Sequence, residues 1–403
     1  MITTAEIKAA LAAKANATDS STAISDVLKL AIATEEVDDG VVFYDSAGVM
    51  PVDSAFVGSF TTDNTGTIKF YNDSAWSSLS GTNTYPLPTP PIQNNQGENY
   101  GYTADGYSAV NAPPYVRTID KFSFTSGGNA TDVGDTLSSG DNEASGAGQS
   151  STSHGYHSGD TSPNLSTNVI QKYSFTVDGN ATDVGDLTLT RGRCAGTSSD
   201  DNGYTHGGGR TPPSLPASYL NTIDKFPFAS DANASDVGDL AAVAKDPAGQ
   251  SSSTHGYSSG GKHPSYSNGQ VDIQKYSFST DGNASDVADL TRGSYGPAGQ
   301  NSSTHGYTSA GQNASPFTQY GNIIDKFSFS TGANATDVGD VTQGSLQPAG
   351  TSTASEGYTQ GGGVAAPTYA SNVIDKFPFS SDASATDVGD LTLGRQQCSG
   401  SQY

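Results

Sequence analysis

The side chains best placed for chemistry are the carboxylates and amides of a repeated turn. Asp178-Gly-Asn180-Ala-Thr-Asp183 carries oxygen ligands at alternating positions, and a similar segment begins at Asp281. Calcium loops use such spacing. A turn stabilised by Asn and Asp hydrogen bonds explains it equally well, including the copies that lack the first Asp. Both readings are open, and we favour a turn without metal.

Three histidines form a second candidate group. His154, His255 and His305 each precede a Gly-Tyr pair at the same repeat position. A zinc centre needs about four ligands that converge at ~2.0–2.3 Å, and equivalent positions of separate repeats do not meet so closely. We therefore expect hydrogen bonds between neighbouring repeats and no metal.

Catalysis is the third chemistry to weigh. A glycosidase needs two carboxylates about 5–10 Å apart in a pocket, whereas the carboxylates here recur in every repeat and catalytic residues should break the repeat. A sialidase-like site also needs clustered arginines, and those of this chain are scattered at 117, 191, 193, 210, 292 and 395. We expect no enzymatic activity and no cofactor.

These residues all belong to a repeat of 50–53 residues. Its Ile-Asp/Gln-Lys-Phe/Tyr-x-Phe block occurs six times, starting at Ile119, Ile170, Ile223, Ile273, Ile324 and Ile374. Each copy contains a Gly-Tyr strand, the Ile block, an Asp-Val-x-Asp strand and a small-residue strand such as residues 298–304. Four strands in about 50 residues predict an all-β, six-bladed β-propeller.

The two ends of the repeat array complete one another. Residues 391–398 match residues 187–194, which precede a Gly-Tyr strand within the array. The C-terminus therefore supplies the strand that the first copy lacks, and we expect a closing blade built from both ends, which leaves no bare sheet edge.

Aromatic pairs should hold the blades together. Strand alternation puts two aromatic residues of each Ile block on one face: Phe122 and Phe124, Tyr173 and Phe175, Phe226 and Phe228, Tyr276 and Phe278, Phe327 and Phe329, Phe377 and Phe379. Pro227 and Pro378 lie between two of these pairs, so the strand ends or bulges there.

The repeats resemble two known groups of proteins. Asn322-Ile-Ile-Asp-Lys-Phe327, residues 337–341 and Gly361-Gly-Gly363 resemble a kelch repeat, except that valine replaces the outer-strand tryptophan. The wording Asp-Lys-Phe-x-Phe with Asn-Ala-Thr-Asp-Val-Gly-Asp-Leu and Ser-Ser-Thr-His-Gly-Tyr is similar to virion structural proteins of tailed phages of aquatic bacteria, cyanophages especially. Residues 66–76 resemble a β segment of phage tail and fibre proteins. The resemblance implies a virion appendage such as a tail fibre.

The amino-acid composition argues against several classes of binding partner. The net charge is −23 and the hydrophobic content 33%, yet the regular repetition of Tyr and Phe argues against disorder. Without a basic stripe we expect neither nucleic acid nor an anionic membrane as partner, and no apolar run could span a bilayer. The first residues lack a signal-peptide pattern, so we expect synthesis in the host cytoplasm. Cys194 and Cys398 occupy equivalent sites two repeats apart, and we expect two free thiols.

Three regions follow one another along the chain. Residues 1–82 predict an N-terminal anchor with helices at 4–15 and 21–34 and strands at 41–44, 55–57 and 67–71. A Pro-rich linker occupies 83–96, and the propeller occupies 97–403. The helices carry too little apolar surface for a stable monomeric core. We expect residues 1–82 to dock on other virion structural proteins and the protein to be a homo-oligomer.

The loops between each Gly-Tyr strand and the next Ile block differ in every blade and share one propeller face. Rigid aromatic residues beside adaptable polar ones make a binding surface, and simple surface drift explains the variation equally well. The candidate residues are Tyr107, Tyr115, Arg210, Tyr219, Tyr266, Phe317, Tyr320 and Tyr369. We expect multivalent adhesion to a host surface glycan or protein, with a purely architectural role and a glycan-cleaving enzyme as alternatives.

Overall fold

The computed structural model divides the chain into two compact units, Met1–Pro88 and Thr89–Tyr403. It describes residues 60–62, 68–71, 76–78, 96–108, 114–137, 144–161, 166–210, 218–265, 269–312 and 320–403. The first unit contains a three-stranded antiparallel sheet of Phe60–Thr62, Ile68–Tyr71 and Trp76–Ser78. The predicted helices at 4–15 and 21–34, and the strands at 41–44 and 55–57, lie outside the described residues. Across those described ranges, no helix is long and apolar enough to cross a membrane.

The second unit is a six-bladed β-propeller of four-stranded antiparallel sheets, as the repeat predicts. The inner strands of blades 1 to 6 are Ser399–Gln402, Ala147–Ser150, Ala195–Ser198, Ala248–Ser251, Ala298–Asn301 and Ala349–Ser352. The second strands are Tyr100–Ala104, His154–Thr161, Asn202–His206, His255–Ser259, His305–Ser309 and Glu356–Gln360. The third strands are Thr118–Ser123, Ser166–Ser174, Thr222–Pro227, Asp272–Ser277, Ile323–Ser328 and Val373–Pro378. The outer strands are Thr131–Asp135, Thr182–Asp186, Ser235–Asp239, Ser285–Asp289, Thr336–Asp340 and Thr386–Asp390.

Blade 1 closes the ring with strands from both ends of the array. The C-terminal strand pairs antiparallel with the first Gly-Tyr strand, in the register that places Ser399 opposite Ala104 and Ser401 opposite Tyr102. Opening the ring would break these ladder hydrogen bonds and expose two strand edges. The predicted mixed blade is confirmed.

The Gly-Tyr motif serves two packing needs at once. A Cβ on Gly306 would lie 2.3 Å from Cζ of Phe327 in the same blade, so only glycine leaves room for that ring. The next residue, Tyr307, crosses to blade 6, where its ring lies 5.7 Å from Phe377 and 4.5 Å from Phe379. The same contact recurs at all six blade interfaces. Burying such rings is the main apolar contribution to the fold. The third strands of blades 3 and 6 end at Pro227 and Pro378, one of the two outcomes expected there.

The inner strands approach one another closely around the axis. A Cβ on Gly299 would lie 2.1 Å from the carbonyl oxygen of Gly249 in the preceding blade, and the glycine at this position meets the same obstacle in every blade. Two residues further, the backbone N–H donates to a side-chain oxygen of the next blade, for example from Ser150 to Ser198 at 3.0 Å. These bonds close around the ring. Small polar residues are required here because backbones meet directly.

Candidate functional site

The candidate site lies on the loop face, the face on which second strands end and third strands begin. At its centre six residues, here called the axial ring, surround the propeller axis just before the inner strands. Each donates its backbone N–H to the carbonyl oxygen of the preceding member, over 2.6–3.1 Å, and the chain of bonds closes. All six have left-handed backbone angles, with φ between 54° and 85°. The members are Ser145, Arg193, Asp246, Gly296, Gln347 and Gln397.

A second layer of backbone pairing surrounds the axial ring. The residue before each axial-ring member forms an isolated antiparallel bridge with a residue at or just after the end of the second strand of the same blade. The six pairs are Gln396 with Tyr107, Ala144 with Thr161, Gly192 with Gly209, Lys245 with Lys262, Tyr295 with Gln312, and Leu346 with Gly363. The backbone of the loop face is therefore repeated six times while its side chains differ from blade to blade. In such a surface the repeated backbone provides a rigid support, and the side chains can vary without changing the fold.

A network of polar side chains joins four blades across the axis. Arg193 Nη1 donates to the Tyr295 hydroxyl at 3.0 Å and lies 3.4 Å from Asp246 Oδ2. Gln347 Nε2 donates to the other carboxylate oxygen of Asp246 at 2.5 Å. Asp246 is buried, whereas the Arg193 side chain keeps 26% of its surface exposed. The carboxylate thus holds the guanidinium in place, while part of the Arg193 side chain stays exposed to solvent.

Two lysines extend this positive region over blade 4. Lys245 Nζ lies 5.6 Å from the ring centre of Tyr219, and Lys262 Nζ lies 5.7 Å from that of Tyr295, both within cation–π range. Burial, then the nearby positive charge of Arg193, lowers the pKa of Lys245. Although the whole chain is strongly acidic, this part of the loop face places three cations beside tyrosine rings. Such a combination suits a ligand with anionic groups and flat apolar faces.

The structure gathers three of the predicted binding residues around Arg193. Tyr107 and Tyr115 pair through their backbones, and their rings meet edge to face at 5.2 Å. The pKa of Tyr115 is raised, chiefly by burial, with Arg193 acting in the opposite sense. Tyr219 pairs with Gly209 in a short two-stranded sheet and has a raised pKa, again chiefly through burial and partly offset by Arg193.

The other predicted residues belong to separate hairpins of the same face. Arg210 is half-buried in the short sheet, where it pairs with Ser218. Tyr320 pairs with Gln312 on blade 5. Tyr369 is 52% exposed on blade 6. Tyr266 and Phe317 lie outside the described residues.

Sequence reasoning missed Arg193, Lys245, Lys262 and Tyr295 as parts of this surface. Lys262 lies within a loop that was recognised as variable. The other three residues precede the inner strands, in connectors whose differences between blades were not considered. Because the axial ring repeats in backbone and not in side chain, a comparison of the residue two places before each Ala-Gly or Ser-Gly pair could have found Arg193 and Asp246.

The repeated turns connect neighbouring blades. The side-chain oxygen of Asn180 accepts a hydrogen bond from the backbone N–H of Asp135 at 3.0 Å, and Asp178 forms an ion pair with Lys121 at 3.0 Å. Asn or Ser provides the first contact at every interface, and three more interfaces have the ion pair. These contacts support the turn reading, because they employ the oxygens that a calcium ion would need.

The three repeated histidines differ from expectation in their partners. His154 Nδ1 lies 2.8 Å from the hydroxyl of the preceding Ser153, and His255 and His305 make the same contact with Thr254 and Thr304. These hydrogen bonds lie within one blade, whereas we expected bonds between blades. Each imidazole forms a hydrogen bond with the side chain of the preceding residue, and the sequence pattern alone did not predict this partner.

A shallow cleft of about 260 Å³ lies between blades 1 and 6, away from the loop face. Residues 123–128 with Tyr358, Lys376 and Val388 line it, and no carboxylate is among these described residues. The cleft therefore does not supply the carboxylate pair that glycoside hydrolysis requires.

Comparison with known proteins supports the architecture. No protein-family model and no curated protein matches the sequence. Among solved structures, the chain is similar to the structure of YjhT, with a TM-score of 0.51 and 12% sequence identity over 64% of this chain and 87% of that one. At this identity the likeness shows the propeller fold alone.

Proposed function

We propose that the protein is a non-enzymatic appendage of a phage virion and that the loop face of its propeller attaches the particle to the host surface. The single observation that carries the adhesive role is the loop face itself, in which a backbone frame repeated six times presents different side chains from each blade. The assignment to a virion is supported by the resemblance of the repeat wording to virion structural proteins of phages of aquatic bacteria.

The chemistry of the loop face favours an acidic surface glycan as the ligand. Arg193, Lys245 and Lys262 supply positive charge, and Tyr219 and Tyr295 supply flat rings beside it. Sugar rings stack on aromatic faces, while uronate or sulfate groups pair with Arg and Lys. Each contact is weak in water, and several copies on one particle convert weak contacts into lasting attachment. This requires a homo-oligomer or many copies per virion.

Binding of the full-length protein, displayed in many copies on beads, to arrays of neutral and acidic bacterial polysaccharides tests this function. We expect retention on acidic polysaccharides that falls with added salt. The double variant Tyr219→Ala and Tyr320→Ala should lose most of this retention. Tyr100→Ala is the matched control, because Tyr100 is a surface tyrosine, 37% exposed, at the end of the second strand of blade 1 that lies away from the loop face.

Three outcomes would contradict the proposal. Unchanged binding by the double variant would remove the loop face from it. Release of reducing sugar from the polysaccharide would favour a glycan-cleaving enzyme. Binding to virion proteins together with failure on every polysaccharide and on host cells would favour a purely architectural component.

A further inference from the structure

Five residues that depart from the repeat meet at the seam between blades 1 and 2, beneath the loop face. At each of these positions the other five blades have a small residue or a proline. Asp105 replaces Gly or Ala, Gly146 replaces Pro or Cys, His157 replaces Thr or Ser, Asp160 replaces Gly, and Ser399 replaces Ala. Surface drift does not explain the convergence, because all five positions are buried or closely packed.

The imidazole of His157 lies at the centre of this cluster. Its Nε2 atom is 3.0 Å from Asp160 Oδ2 and 3.7 Å from Asp105 Oδ2. The three ligand atoms lie within 4.8 Å of one another. On the other side of the ring, Nδ1 lies 2.8 Å from the Ser399 hydroxyl. The ring is thus oriented with one nitrogen toward the C-terminal strand and the other toward two carboxylates.

Gly146 makes room for this arrangement. A Cβ at that position would lie 2.4 Å from both Nε2 and Cε1 of His157. The proline or cysteine that other blades have there would overlap the imidazole. The glycine and the histidine therefore depend on one another, as expected for a site whose parts were selected together.

The electrostatics of the cluster call for a cation. Asp105, His157 and Asp160 are at most 3% exposed, and both Asp105 Oδ2 and Asp160 Oδ1 lack a hydrogen-bond partner. When both carboxylates beside this one imidazole nitrogen are ionised, the buried cluster carries excess negative charge, which a bound cation would offset.

We propose that Asp105, His157 and Asp160 bind one divalent first-row transition metal ion, with Zn²⁺ the best match. One imidazole nitrogen and two carboxylate oxygens supply three of the four ligands that zinc and its neighbours usually take, and Asp160 Oδ1, which has no hydrogen-bond partner, could complete the set. Ca²⁺ and Mg²⁺ favour oxygen ligands alone. Zinc–ligand distances of ~2.0–2.2 Å require these three atoms, which lie within 4.8 Å of one another, to move closer together around the ion. Asp105 directly follows the first Gly-Tyr strand and Ser399 begins the C-terminal strand, so the ion would fasten the closing blade to blade 2. This inference is independent of the proposed adhesive function.

The other blades supply conservative test variants. Asp105→Gly installs the residue that four blades carry at this left-handed position, where φ is 64° for Asp105, so the backbone is relieved and not strained. His157→Thr and Ser399→Ala likewise restore repeat residues. His305→Gln changes a histidine outside the cluster and is the matched control.

The experiment uses the full-length chain, dialysed against a chelator and then titrated with zinc sulfate or cobalt chloride. We expect a rise in the thermal unfolding midpoint that saturates at one ion per cluster, and visible d–d absorption with Co²⁺. Asp105→Gly and His157→Thr should remove both effects while remaining folded without metal. Ser399→Ala should weaken binding about 10–100-fold, because its hydroxyl only orients the imidazole. His305→Gln should behave as the wild type.

Three results would overturn the proposal. The first is a wild-type chain whose unfolding midpoint and Co²⁺ spectrum do not respond to metal, which would leave a proton-sharing cluster of His and Asp. The second is equal binding by wild type, Asp105→Gly and His157→Thr. A shift of the same size with calcium chloride would exclude the transition-metal assignment.

Discussion

Replacement of His206 by Gln should make the propeller more resistant to acid. His206 ends the second strand of blade 3 and is completely buried. Tyr276 provides a hydroxyl 3.1 Å from Nδ1, whereas Nε2 has no hydrogen-bond partner. Burial, together with the positive charge of Arg191, lowers the pKa of His206 from 6.5 to about 3. The imidazole is therefore neutral in the folded protein.

The magnitude follows from the difference between folded and unfolded protonation. Below pH 6.5 the unfolded chain binds a proton at this histidine and the folded chain does not, so acid favours unfolding. The contribution of His206 to the free energy of unfolding is fully present above pH 6.5. It is lost as the pH falls toward 3, by about 1.4 kcal/mol per pH unit. At about pH 4.5 the loss from this residue alone amounts to roughly 2.7 kcal/mol.

The variant His206→Gln is well matched to its site. Blade 6 has Gln360 at the equivalent position, where its amide donates to Thr351 at 2.8 Å, and Thr197 occupies the place of Thr351 in blade 3. Urea unfolding of both proteins should show their free energies of unfolding diverging steadily below pH 6.5. His305→Gln, a less buried histidine whose pKa burial also lowers, should diverge less. Parallel curves for His206→Gln and the wild type would refute the reasoning.

Two further predictions concern the buried ion pair and the axis. Asp120→Asn should lower the free energy of unfolding by about 3–5 kcal/mol, because the fully buried Arg395, 2.6 Å away, loses its partner. Asp375→Asn, whose site has no such arginine, should cost less, and equal losses in denaturant titrations would contradict this. Gly299→Ala should cost about 1–3 kcal/mol through overlap with the neighbouring backbone. Gly179→Ala meets nothing within 4 Å, and an equally large loss there would argue against tight axial packing.

Much of the architecture could be predicted because the repeat carries it redundantly. Six Ile blocks and six Gly-Tyr pairs set the number of blades and strands, and the match of residues 391–398 to 187–194 indicated the mixed closing blade. The aromatic contacts between blades, the strand ends at Pro227 and Pro378, and the free thiols of Cys194 and Cys398 agree with expectation. Each depends on strand alternation or repeat position, which are local properties of the chain.

The candidate sites could be predicted only in part. The tyrosines of the loop face were chosen because their loops vary, and Tyr107, Tyr115 and Tyr219 do gather around Arg193. Arg193 itself lies in a connector, and its meeting with Tyr295 depends on how far the connectors of successive blades reach over the axis. The sequence period predicts which strand a residue follows, but it does not predict how far a connector extends over the propeller axis.

The amino-acid sequence by itself determined the blade count, the strand order within each blade and the place where the ring closes, since these follow from period and alternation along one dimension. Only the tertiary structure decided which departures from the repeat come together. Asp105, His157 and Ser399 are far apart in the chain and meet because closure brings the C-terminal strand beside the first Gly-Tyr strand and curves both against blade 2. The burial of these residues and their contacts depend on the curvature of the whole ring. A single repeat carries no information about that curvature.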